Sequence, residues 1–90
     1  MQHQSTVTRY PGSLDQLAID VGDLRYDALE QFLNALAAKL KRDSAADAQR
    51  GRHQLAALLL RAAELTNDSA AEIDEAWRIC KPHMTGDQSS

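Results

Sequence analysis

Three groups of side chains in this 90-residue sequence could do chemistry: His53, the run Cys80-Lys81-Pro82-His83, and the cations Lys39, Lys41, Arg42, Arg50 and Arg52. The thiol and imidazole of Cys80 and His83 are spaced as two zinc ligands can be. A structural zinc site needs four, and His3 and His53 lie far off in the chain. Helical periodicity instead puts Cys80 on an apolar face, where a thiol behaves as a small hydrophobe. The five cations form the one basic concentration, a candidate anion patch for phosphate groups of DNA or RNA. Asp43 and Asp47 sit among them, no aromatic residue is interleaved for base stacking, and the net charge is −3. Nucleic acid is therefore not the partner this composition favours, and no metal or cofactor site is expected.

The segment His53-Gln54-Leu55-Ala56-Ala57 resembles the phosphorylation motif of histidine phosphotransfer domains, His-x-Leu-Lys-Gly-Ser/Ala, in its histidine and leucine. The resemblance implies a helical bundle with an exposed, phosphorylatable His53. The lysine that would pair with the phosphate is Ala56 here, and the glycine that admits a partner is Ala57. The carboxylates form no catalytic pattern: there is no Glu-x-x-His pair, no glycine-rich phosphate loop and no Ser/His/Asp signature. The sequence does not read as an enzyme.

Four helices are expected to position these groups. Residues 1–12 are polar, lack periodicity and end in Tyr10-Pro11-Gly12, which reads as a flexible arm. Ser13 opens a short first helix as half of a reciprocal capping pair with Gln16, and Gly22 is its natural left-handed stop. Asp23 caps a second helix over about 24–42, whose face carries Tyr26, Leu29, Phe32, Leu33, Leu36 and Leu40. Run on unbroken, that helix would set Asp47 in its apolar stripe. A break near Asp43-Ser44 avoids this, with Ser44 capping a third helix over about 45–66 that contains Gly51. Asn67-Asp68 reads as a turn, and Ser69-Ala70-Ala71-Glu72 as a capping box for a fourth helix ended by Pro82. The tail, 83–90, reads as loose. The domain is then 13–82, an all-α, small antiparallel bundle of about four helices joined by short turns.

The stretch from Gly51 to Thr66 dominates this reading. Leu55, Leu58, Leu59, Ala62 and Leu65 form one apolar stripe on a helix, and Ala56, Leu60 and Ala63 widen it to about twice the ~100° that an ordinary surface helix needs. A helix so covered must touch more than one neighbour. Of the apolar residues, 43% of the chain, fifteen are alanine and twelve leucine, with one Phe and one Trp. Alanine favours the helix but buries little area, so a lone chain has little margin and a twofold homodimer is an economical completion. The function expected is that of a protein–protein interaction or regulatory module, with Leu55, Ala56, Leu59, Leu60, Ala63 and Trp77 at its interface. The single cysteine fits a reducing compartment. With neither a signal-peptide core nor an apolar run of ~18 residues, the cytoplasm is the expected location, with no membrane partner.

Overall fold

The computed structural model describes residues 3–83; Met1, Gln2 and the tail from 84 to 90, expected to be loose, lie outside the described residues. Three helices form: α1 (Leu14–Gly22), α2 (Tyr26–Gln49) and α3 (His53–Cys80), followed by a 3-10 turn, Lys81–His83. No strand occurs among the described residues. The long pair α2 and α3 make an antiparallel hairpin, and α1 precedes it, lining an open cleft together with Leu29 and Phe32 of α2.

The local rules hold for α1. The Ser13 side chain accepts the Gln16 N–H at 3.1 Å, satisfying one of the donors that a helix start leaves over. The Gln16 amide does not reciprocate; it donates to the Asp20 carboxylate at 3.3 Å. Gly22 ends the helix without a left-handed conformation, since the only positive φ among the described residues belongs to Gly51. Nor does Asp23 cap α2. Arg25 stands at that start and makes no side-chain cap.

Two expected breaks are absent. The chain runs helical through Asp43-Ser44 and again through Asn67-Asp68-Ser69, so the expected second, third and fourth helices are two, and three helices stand in place of four. The reason lies in the seam between α2 and α3. Leu33, Ala37, Leu40, Ser44 and Asp47 follow one another at alternating steps of four and three, and so do Ala56, Leu59, Ala63, Thr66, Ala70, Ile73 and Trp77. That is the seam of an antiparallel coiled coil, in which each residue inserts between residues of the facing helix. Ala37, Ala56, Ala63 and Ala70 are the buried apolar residues, with Ser44 and Asp47 buried beside them. Small side chains at every seventh position let two helices approach toward the lower end of the usual ~8–10 Å. A break at the first place would take Ser44 and Asp47 out of the seam, and one at the second Ala70, Ile73 and Trp77.

Polar seam residues are accommodated individually. The Ser44 hydroxyl donates to the Ala56 carbonyl across the seam at 2.7 Å, and the Thr66 hydroxyl donates to the Ala62 carbonyl of its own helix at 2.7 Å. Both reduce the cost of burying an oxygen inside a helix pair.

The turn falls at Arg50-Gly51-Arg52, inside what the sequence suggested was one helix. Gly51 takes φ of 80°. Its N–H bonds the Ala48 carbonyl at 3.0 Å, and the Arg52 N–H bonds the Asp47 carbonyl at 2.9 Å. These two bonds are the Schellman closure of a helix, which favours glycine at this position. A Cβ at Gly51 would meet nothing within 4 Å, so its constraint is conformational rather than steric crowding. A side chain there, Gly51→Ala, is expected to destabilise the hairpin by about 1–2 kcal/mol. Gly22→Ala, in the helical backbone of α1 with equally open space, is expected to stabilise that helix by about 0.5–1 kcal/mol. Urea unfolding followed by circular dichroism checks both signs.

Candidate interaction surface

The hairpin has a turn end, a seam, an open end and two flanks. At the turn end Asp47, buried in the seam, is paired with Arg52 at 3.3 Å and Arg50 at 4.0 Å. An acid in the apolar stripe is thus matched by the arginines on either side of Gly51. Lys39 is paired with Asp43 at 2.6 Å. The hydrogen bond from Lys39 holds the Asp43 carboxyl below the usual carboxylate range, outweighing the opposing loss of hydration. Of the five cations of the candidate anion patch, Lys39, Arg50 and Arg52 therefore have carboxylate partners, and Lys41 and Arg42 have none within 4.0 Å among the described residues. His53 is exposed at the first residue of α3, directly after the turn.

At the open end, Arg25 ties the start of α2 to the end of α3. Its guanidinium lies 5.5 Å from the centroid of the Trp77 ring, within range of a cation–π attraction. It is held there by a two-pronged bond to Asp27, at 2.6 and 2.9 Å. That bond pulls the Asp27 carboxyl below its ordinary range and raises the Arg25 guanidinium. Asp27 thereby positions the arginine that roofs Trp77.

The flanks lie about 100° to either side of the seam on each helix. On α3 one flank carries Leu55, Leu58, Ala62 and Leu65, at steps of three, four and three. On α2 the corresponding flank carries Leu29, Phe32 and Leu36. Because the two helices run in opposite directions, these flanks fall on the same side of the hairpin. Toward the open end, Leu29 and Phe32 form an apolar cleft with Leu14, Leu17, Ala18 and Val21 of α1. Toward the turn end the leucines are uncovered among the described residues: Leu58 is 67% exposed and Leu65 53%. The other flank of α3 is mostly polar, with His53, Glu64, Asn67, Asp74 and Arg78 around a single exposed Leu60.

The residues expected at the interface divide among these places. Ala56 and Ala63 are buried in the seam, and Leu59 lies half-buried in it. Trp77 is half-buried at its open end. Leu55 and Leu60 are exposed on opposite flanks. Leu36, Leu58 and Leu65, which share a side with Leu55, were not among the expected interface residues. The signal that separates them is the seven-residue recurrence Ala56–Ala63–Ala70. It fixes which of α3's apolar positions face α2, and by subtraction which do not.

Cys80 is half-buried at the end of α3, and no cluster of three or more His, Cys, Asp or Glu side chains suited to a metal ion occurs among the described residues. No described helix is long and apolar enough to cross a membrane. Comparison with protein-family models, curated proteins and solved structures finds no significant match.

The open-end clamp gives a pH dependence. A carboxyl whose pKa is lowered by folding contributes stability above its unfolded value, near 4, and loses it as the pH falls through the lower folded value. Acidification from pH 6 toward pH 3 is therefore expected to loosen Arg25 from Asp27 and shift the fluorescence of Trp77, the sole tryptophan, to the red. Asp27→Asn is expected to show most of that shift already at pH 7 and a smaller change on acidification.

Proposed function

We propose that this chain is a protein–protein interaction or regulatory module that works through an apolar helix face and self-associates, most simply as a homodimer. It carries out no catalysis in this reading, needs no cofactor, and works in the cytoplasm. One observation carries the proposal: no large side chain among the described residues is fully buried, while twelve large apolar ones are exposed, from Val7 to Ile79. The buried apolar residues are alanines, whose methyl groups contribute on the order of 1 kcal/mol each. A monomer arranged this way leaves a large part of its hydrophobic driving force unused, and exposed apolar surface of this extent marks a binding face.

The test is the solution mass of the purified chain at micromolar concentration, measured by light scattering. A dimer or larger assembly is expected, and a monomer would overturn the proposal. A second measurement addresses the seam. Leu59→Asp places an unpaired charge between α2 and α3 and is expected to abolish cooperative unfolding. His53→Ala, at an exposed helix start, is expected to leave mass and melting point unchanged.

A further inference from the structure

We infer that the occupant of the exposed apolar flank is a second copy of this chain, seated face to face about a twofold axis over Leu36, Leu55, Leu58 and Leu65. The inference rests on the interaction-module reading above and names its partner and its face.

Area argues first. The chain exposes 6929 Å², whereas a compact monomer of 9.9 kDa exposes about 5,200 Å². The excess of about 1,700 Å² is about twice the ~800 Å² that each partner gives to a standard stable interface. The Cα radius of gyration, 15.9 Å, is likewise above the ~12 Å of a compact chain this long. The extents, 51 × 29 × 14 Å, describe a flat, elongated shape.

Shape and charge select the flank. Two hairpins laid together on their leucine sides make a four-helix bundle, whose centre is filled by the large residues that each seam leaves out. The opposite flank offers Leu60 alone among polar groups. On the leucine side itself, next along α2 after Leu36, Lys39 and Asp43 neutralise each other within the chain, so this part of the face presents no net charge to an identical copy.

The chain's own remaining segments are poorly suited to the place. α1 lines the cleft with Leu29 and Phe32 at the other end of the flank, and residues 84–90 contain one large apolar side chain, Met84. A second copy, by contrast, is present wherever the chain is made, and the deficit it fills belongs to the fold itself.

The experiment compares purified wild type with Leu58→Glu and Leu60→Glu by light scattering across a dilution series, with circular dichroism to follow helicity. Leu58→Glu is expected to weaken dimerisation at least ~100-fold, since the residue is removed from both copies. Leu60→Glu is expected to leave it within about threefold, as for a residue outside the interface. Should Leu58→Glu not fold, cross-linking with a short bis-maleimide decides instead. In a Cys80→Ala background, Leu58→Cys is expected to link two copies and Leu60→Cys is not. A dimer that survives Leu58→Glu, or links through Leu60→Cys and not Leu58→Cys, overturns this face while self-association stands. A monomeric wild type overturns both.

Discussion

The structure depends on the close apposition of α2 and α3 through alanine and serine. Ala37 and Ser44 on one helix, and Ala56, Ala63 and Ala70 on the other, recur at intervals of seven and are buried. Small residues bring two backbones near each other and gain dispersion contacts along the whole length. The same small residues remove little apolar area from water. A seam of this kind gives the hairpin its direction and register, but it leaves the leucines on the flanks. The apolar surface that would be the interior of a larger helical domain is here an exterior one.

The turn shows how the seam overrides local preference. Asp47 occupies a seam position, where a carboxylate would ordinarily argue for a helix end nearby. The helix does end nearby, but two residues beyond, at Gln49, and the Schellman closure at Gly51 brings Arg50 and Arg52 back to the acid. The basic concentration noticed in the sequence is thus in part the neutralising shell of one buried carboxylate and one exposed ion pair. At the opposite end Arg25, Asp27 and Trp77 form a second polar fastening. The hairpin is pinned at both ends by charge and between them by small side chains.

These fastenings explain the division of labour along α3. Trp77, which composition marks as a binding anchor, is taken up within the chain beneath Arg25. Leu58 and Leu65, ordinary members of a broad stripe, are the side chains left uncovered. What makes a residue available for a partner here is not its type but its angular distance from the alanines.

Much was legible from the residues alone. The all-helical class follows from the 3.6-residue spacing and the wealth of alanine and leucine. The Ser13 cap follows from the chemistry of a helix start, and the approximate end near Pro82 from its missing N–H. These are local properties, set within one or two turns of chain. The helix boundaries inside the hairpin were not legible in the same way. Ser44 and Ser69 have the composition of caps, and Gly51 sits in a strongly helical run, yet the chain continues through the first two and turns at the third. Continuation depends on whether a segment can keep its small residues opposite those of another helix, and a capping bond contributes only ~1 kcal/mol against that. The sequence by itself determined that the chain would be helical and short of large buried side chains. The pairing of two helices decided which alanines are enclosed and which leucines face outward, because a side chain is buried only relative to a neighbour, and that neighbour lies some 20 or more residues away for much of the seam.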